Sequence, residues 1–440
     1  MKVNTEFKEV KGIGKIPVDW KVKSFLDIVG LLDFRGKTPL KIGMKWGGNI
    51  PALSANNVKM GYIDFSLPTN YGSLKLYNAW MTKGDIKKGD IILTTEAPAG
   101  NVAIIEDDKK YILSQRVVCI KPKITLINNY FLKYYFMSNY FNQYLNKFAT
   151  GSTVIGISQK SLEYLSIPTP SIKEQEKIAQ ILSNVDMNIE KTEQAIAKYK
   201  QIKKGLMDDL LTGKVRIKDG KRFRETNFKY VKGIGKIPWD WEVGNIRDLA
   251  KVLPGYAFSS EDSCECGVRW LKIANVSFNQ IIWDAESYLP KNFEEIYSQY
   301  ILKKGDIVLA MTRPIINRKL KLSIFKEDDG RALLNQRVAK IEVFDEKYRY
   351  FIYNFLQFDY SINQMELKIL GTDPPNISGN DIEGVIIPIP EKEEMNDIGN
   401  VIIRQDRLIE KEEEYLEKLK KLKSGLMEDL LTGKVRVNID

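Results

Sequence analysis

From Lys173 onward, apolar residues recur at Ile178, Leu182, Val185, Ile189, Ile196, Tyr199, Ile202, Leu206 and Leu210. The spacing mostly alternates three and four, which predicts a long helix with a narrow coiled-coil seam. The stripe returns 220 residues later at Ile398, Ile402, Ile409, Leu416, Leu419, Leu422, Leu426 and Leu430, with Gln405 and Glu412 standing where the first copy has Val185 and Thr192. A helix of about 38 residues is about 57 Å long and cannot cover its own seam. Each therefore needs a partner, and the other helix, paired antiparallel, supplies one; the alternative is that each helix packs on its own globular part. Ahead of each stripe the pattern changes to short β-like runs, such as Asp90 to Thr94 and Val117 to Ile120, among Gly, Pro and Asn, with a helical stretch from Tyr130 to Phe148. That mixture predicts an α+β globular part.

The stripes belong to a larger duplication. TEFKEVKGIGKIPVDW at 5–20 returns as TNFKYVKGIGKIPWDW at 226–241, identical at 13 of 16 positions, and GLMDDLLTGKVRI at 205–217 returns as GLMEDLLTGKVRV at 425–437, identical at 11 of 13. Weaker echoes keep register between them: KKGDIIL with KKGDIVL, LSQRV with LNQRV, IPTP with IPIP. Elsewhere the copies differ almost everywhere. One scaffold presenting two different recognition surfaces fits this pattern. The expected boundaries are a globular part at 1–170, a helix at 171–212, a basic linker at 213–232, a second globular part at 233–390, a helix at 391–432 and a tail at 433–440.

Charge adds a partner class. The 440 residues carry 67 basic and 57 acidic side chains, net +10, and the segment 1–172 alone holds 23 basic against 13 acidic, with 8 against 2 in the linker. That excess favours a polyanion such as nucleic acid. The second globular part is slightly acidic in total but gathers Arg313, Arg318, Lys319, Lys321 and Lys326 locally, and phosphate contacts need only a local patch.

The absence of histidine removes Ser-His-Asp and Cys-His nucleophile systems, His-ligated metals and imidazole bases. Three cysteines, Cys119, Cys264 and Cys266, are too few for a disulfide framework and read as reduced thiols. No apolar run approaches the roughly 20 residues of a membrane span and the opening MKVNTEFKEVKG has no signal-peptide core, so no membrane and a cytoplasmic location are expected.

The duplication also tests stray motifs, because a site both copies need should occur in both. Asp373-Pro374-Pro375-Asn376 suggests a base-flipping methyltransferase loop, but Asn376 is not aromatic and the first copy reads Thr153-Val154-Ile155-Gly156. Asp359, Glu366 and Lys368 suggest nuclease metal ligands, but their counterparts are Asn139, Asn146 and Phe148; they read as surface helix charges. Gly12 to Lys15 and Gly233 to Lys236 lack P-loop spacing and read as turns.

The order GxIPxxW, an α+β part with a KKGD turn, an IPxP exit and a long helix ending in GLMxDLLTGKVR, all present twice, resembles the specificity subunit of type I restriction-modification systems. The resemblance spans nearly the whole chain. It implies two target recognition domains separated by an antiparallel two-helix coiled coil in a pseudo-two-fold duplication, and a non-catalytic chain that reads a bipartite asymmetric target in double-stranded DNA. It further implies two methylation subunits and restriction subunits as partners, with S-adenosylmethionine, ATP and magnesium on those partners and no cofactor in this chain. A coiled-coil scaffold between proteins, or an enzyme acting on DNA alone, are the competing readings.

The resemblance carries no residue-level code, so candidate DNA contacts are the polar and basic residues beside turn signals. In the first copy these are Arg35, Lys37, Thr38, Ser54, Asn56, Asn57, Thr94, Thr95, Gln115, Arg116, Ser152 and Thr153; in the second, Asn275, Thr312, Arg313, Asn317, Arg318, Lys319, Gln336, Arg337, Thr372 and Asn376. Arginine and lysine suit guanine or phosphate, and asparagine and glutamine suit adenine. Gln115 and Gln336 recur in both copies, which points to a structural role.

Overall fold

A computed structural model describes residues 6–34, 36–147, 157, 161–162, 164–284, 286–371 and 373–439. The chain divides into two compact units, Met1–Glu193 with Glu414–Asp440, and Gln194–Glu413. Each unit thus contains one globular part, the beginning of one long helix and the end of the other. The helices are α1 (Ile172–Leu211) and α2 (Lys392–Leu431).

In the first unit an antiparallel sheet runs in the spatial order Val29–Leu32, Val117–Pro122, Ile91–Thr94, Val102–Ile104. Its central strands are apolar on both faces because each face feeds a different core. Ile91, Leu93, Val118 and Ile120 join the core beneath the helices, while Ile92, Val117 and Cys119 join a second core that includes Trp80 and Leu113. Strict alternation cannot appear in the sequence of a strand covered on both sides. The second unit repeats this arrangement. Its sheet orders Ala250–Pro254, Val338–Val343, Ile307–Ala310 and Leu322–Ile324, with Ile307, Leu309 and Ile341 on one face and Val308, Ala310 and Val338 on the other.

The KKGD echo is the turn that starts the central strand. Gly89 and Gly305 take positive φ of 89° and 93°, and the following aspartate accepts the N–H of Lys87 or Lys303 at 2.8 Å in each copy. The helix expected from Tyr130 to Phe148 is two helices, Asn129–Met137 and Asn139–Lys147. Ser138 turns the chain between them: its hydroxyl donates to the Tyr135 carbonyl and accepts from the Phe141 N–H. Phe148 lies outside the described residues.

The two best-repeated motifs are opposite sides of one contact, made once in each unit. In the second unit Arg216, from the GKVR after α1, donates to both Glu394 oxygens at 2.6 and 2.7 Å and to both Asp240 oxygens at 2.8 and 3.0 Å. Trp241 donates its indole N–H to the same glutamate at 3.2 Å. In the first unit Arg436 grips Glu174 at 2.7 and 2.9 Å and Asp19 at 2.9 and 2.8 Å, and Trp20 donates to Glu174 at 3.3 Å. The glutamates sit in the first turns of α1 and α2, so the first turn of one helix meets the end of the other. The glycine of GKVR makes this possible: at Gly213 a Cβ would stand 2.3 Å from Pro238 and at Gly433 2.4 Å from Pro17, both with left-handed φ. The "linker" and "tail" are therefore built structure. Residues Val215–Lys218 and Lys221–Arg224 form a hairpin, Phe228–Val231 pairs with Gly235–Pro238, and Val437 packs on the first unit's core.

Further ion pairs link α1 to α2 in antiparallel sense. In the first unit they are Asp186 with Lys423 at 2.5 Å and Glu193 with Lys420 at 3.5 Å; in the second, Lys200 with Glu413 at 2.7 Å and Lys203 with Asp406 at 2.6 Å. Of the expected seam, Ile178, Leu182, Val185, Ile196, Ile398, Ile402, Ile409 and Leu419 are buried, and Ile189, Tyr199, Leu206, Leu416 and Leu426 half-buried. Ile202 and Leu422 are not part of it: they are 41% and 51% exposed. The run Ile196, Tyr199, Lys203, Leu206, Leu210 keeps the three-four alternation and places Lys203, not Ile202, on the stripe; Lys423 does the same in the other copy. The lysine stem packs while its ammonium meets a carboxylate. Burial raises the Asp406 carboxyl above its ordinary value, against the pull of Lys203.

Arg216→Ala would leave the buried Glu394 without its partner, and a stability loss of about 3–5 kcal/mol by chemical denaturation is expected. The hydrogen bonds from Arg436 and Arg216 hold the Asp19 and Asp240 carboxyls below their usual 3.8. These groups bind protons less readily folded than unfolded, so their contribution is complete above that value and is lost as pH falls through the lower folded ones. The urea midpoint should therefore drop with pH in that acid range, less steeply in Asp240→Asn.

Candidate functional site

Within each copy, divergent segments are joined on an equivalent backbone frame. In the first copy the segment after Ile91–Thr94 is pinned on two sides: Thr95 N–H donates to the Arg116 carbonyl at 2.8 Å and the Thr95 carbonyl accepts from Ile157 N–H at 2.8 Å. In the second copy Met311 stands where Thr95 does. Its N–H donates to the Arg337 carbonyl at 2.8 Å and its carbonyl accepts from Ile377 N–H at 2.9 Å. The turn after the central strand, the turn of LSQRV or LNQRV, and Ile157 or Ile377, all distant in sequence, are thus joined by equivalent bonds. The side chains they carry differ.

The second copy elaborates the first turn. Arg313 donates its N–H to the Pro375 carbonyl at 2.7 Å, and Thr312 bridges Asn376. A small hairpin follows, Ile315–Ile316 with Lys319–Leu320. Its two turn residues, Asn317 and Arg318, have φ of 49° and 59°, the left-handed pair that a tight hairpin demands. The frame brings together Thr312, Arg313, Gln336, Arg337 and Asn376 of the expected contacts, and in the first copy Thr94, Thr95, Gln115 and Arg116.

Several expected contacts face inward. Asn57 is fully buried, accepting from Ser54 Oγ at 2.8 Å and donating to Thr69 Oγ1 at 2.9 Å. Asn275 accepts from Lys272 N–H and donates to the Ile282 carbonyl, both at 2.9 Å. Both asparagines hold the same kind of turn, closed in one copy by Val58 with Ile63 and in the other by Val276 with Ile281. Thr94 and Thr95 are buried as well; Thr94 Oγ1 accepts from Asn101 N–H at 2.9 Å. Lys37 donates to the Trp80 carbonyl and the Thr82 hydroxyl, Thr38 accepts from Lys41 N–H, and Asn56, although exposed, donates to the Pro68 carbonyl.

Arg318 is occupied too. It donates to Glu366, Asp359 and Asn363 at 3.1, 3.1 and 2.9 Å, so Asp359 and Glu366, read as surface helix charges, are its partners. Lys326 pairs with Glu410. Exposed side chains remain at Gln115, Arg116, Arg313, Asn317, Lys319, Gln336, Arg337 and Asn376. Gln115 reaches the Lys37 carbonyl, Asn376 the Pro374 carbonyl, and Arg116 lies 3.8 Å from Glu96. Arg35, Ser152, Thr153 and Thr372 lie outside the described residues.

Sequence reasoning missed the clamp residues Arg216 and Arg436 and the inter-helix pairs of Lys203 and Lys423. Their signal is repetition at a spacing of 220, Arg216 with Arg436 and Lys203 with Lys423. The cysteines are free. Among the described residues no cluster of three or more Cys, Asp or Glu is placed to hold a metal ion, and no helix is long and apolar enough to cross a membrane.

Comparison with known proteins supplies context for this doubled frame. The profile described as "Type I restriction modification DNA specificity domain" matches twice, at residues 17–201 and 238–421. The type I restriction enzyme MjaVIII specificity subunit of Methanocaldococcus jannaschii is 32% identical over 98% of this chain and 96% of its own. The MjaIX specificity subunit of the same organism is 28% identical over 98% and 97%. The crystal structure of a type I restriction-modification S subunit from M. genitalium superposes with a TM-score of 0.60 at 14% identity, over 97% of this chain and 99% of that one, a likeness of fold.

Asn275→Ala removes a buried turn's internal hydrogen bonds, and a stability loss of about 1–3 kcal/mol is expected. Denaturant titration measures the loss, while the preference for nucleic-acid sequence, measured on the folded fraction, should stay as in the parent chain.

Proposed function

The chain belongs to the type I restriction-modification DNA specificity family, as a non-catalytic specificity subunit, and on that premise we propose how its parts divide the work. The globular part of each unit reads one half of a split, asymmetric target in double-stranded DNA. The observation that carries this is the frame itself: equivalent backbone bonds in both copies hold different side chains, the exposed Glu96 and Ala97 in one and the half-buried Thr312 and exposed Arg313 in the other. A fixed frame gives each reader a defined approach to base edges, and the changed side chains give each a different preference.

The helices have two roles in this reading. Each begins in one unit and ends in the other, so their length sets the spacing between the two half-targets. They also offer apolar residues to partners: Tyr415 and Leu422 are exposed in the first unit, and Ile202 and Leu408 in the second. Ile202 and Leu422 are equivalent in the duplication, and two equivalent faces suit two methylation subunits, with restriction subunits joining the assembly. S-adenosylmethionine, ATP and magnesium belong on those partners, and the assembly works in the cytoplasm.

Adding the chain to its methylation subunits should direct adenine modification to a single bipartite sequence, read by mapping modified bases on genomic DNA; modification without sequence preference would refute the proposal. Affinity should fall steeply with salt, since each phosphate neutralised releases counterions. Inserting four residues at both Ile189 and Ile409 keeps each stripe near register and adds about 6 Å. The spacer of the modified sequence should then lengthen by about one or two base pairs, at about 3.4 Å each; preserved activity at the original spacing would remove the ruler.

A further inference from the structure

Alignment of the two copies through their KKGD turns puts Ala97 and Arg313 at the same place, each followed by a proline. Both take left-handed φ, 47° and 46°, although the bond to the following proline is cis after Ala97 and trans after Arg313. Left-handed φ crowds the Cβ of any residue but glycine and persists only where the surroundings fix it. Here they do. Met311 is bonded through both its N–H and its carbonyl, Arg313 N–H is bonded to Pro375, and the Pro314 carbonyl accepts from Lys321 N–H at 2.7 Å. The root of the Arg313 side chain is therefore held in one position and one direction.

Arg313 is exposed, and among the described residues its guanidinium has no hydrogen-bond or ion-pair partner. Arg318, four residues from the frame's Pro314, has three. Arg116 and Arg337 occupy one equivalent position in the two copies, so their presence does not distinguish one half-target from the other. The frame's equivalent left-handed position does: a methyl group in the first copy, a guanidinium in the second.

Resting on the specificity reading above, we propose that Arg313 is the specificity-determining residue of the second copy and reads a guanine through the major groove, with Ala97 leaving the matching place in the first half-target unread. The planar fork of arginine matches the O6 and N7 acceptors of guanine, which a lysine ammonium meets only as a point charge. Fixing the side chain's root on a pinned backbone lowers the ordering cost of that contact.

The test uses the full chain assembled with its methylation subunits and a duplex library randomised across both half-targets. The readouts are base preference at every position, total affinity and salt slope. Arg313→Ala should reduce a guanine preference at one base pair of one half by about 10- to 100-fold and leave the other half unchanged. Arg313→Lys should do the same, although it keeps the charge. Unchanged preferences in both variants would overturn the proposal. So would an even loss across all sequences in Arg313→Ala with a salt slope shallower by about one, since that marks a phosphate contact. A parent complex with no sequence preference would remove the specificity reading itself, and is recognisable because there would be no profile for the variants to alter.

Discussion

Everything else in the molecule depends on an arginine held between carboxylates, one of them buried. Arg216 and Arg436 each bind the first-turn glutamate of a long helix and the aspartate beside a buried tryptophan. Glu174 and Glu394 are almost completely buried, a placement tolerated by a carboxylate only when a full set of partners meets it. Each clamp gathers three stretches of chain, the GxIPxDW loop, the start of one helix and the segment after the other. The hydrophobic seams could slide by a turn at modest cost, but a bidentate guanidinium cannot. The clamps therefore set helix register as well as attachment.

Much of this was legible because duplication turns one sequence into a comparison. The residues of the clamp, the aspartate of the KKGD turn and the seam leucines recur in the same order in both copies, and each has the same structural job in both units. What stayed hidden was hidden for physical reasons. Apolar periodicity identifies the stripe but weights isoleucine above lysine, so Ile202 displaced Lys203 although the heptad favours the latter. Polar residues beside turns look alike in sequence whether they face out or in. Asn57 and Asn275 are turned inward by hydrogen bonds to chain segments several residues away, which no local pattern displays. Charged segments near helices looked like solvent-facing loops, yet Arg216, one of the eight basic residues of 213–232, is buried in the clamp.

The candidate site shows the opposite division. Its frame consists of main-chain bonds between distant segments and is nearly independent of side-chain identity, so sequence identity falls away there while geometry persists. A specificity subunit benefits from that arrangement. Its catalysis lies in other chains, and its own task needs exposed side chains that can change without disturbing the backbone that aims them. Folding and recognition thereby draw on separate atoms, main-chain groups and buried apolar surface for one, outward side chains for the other.

One interior difference between the copies bears on heredity. At the start of the central strand Asp90 is met by Lys121, with Cys119 beside it. In the second unit Lys340 replaces the cysteine and Glu342 the lysine, and these two pair with each other at 2.6 Å. The ion pairs differ between the copies, and a crossover between the two facing positions of this strand would set two lysines, or a cysteine and a glutamate, two residues apart. Shuffling between related genes should thus succeed when the joints fall at the repeated clamp segments and a whole globular part moves intact, so that a lineage can acquire a new target in one step while inheriting its architecture unchanged.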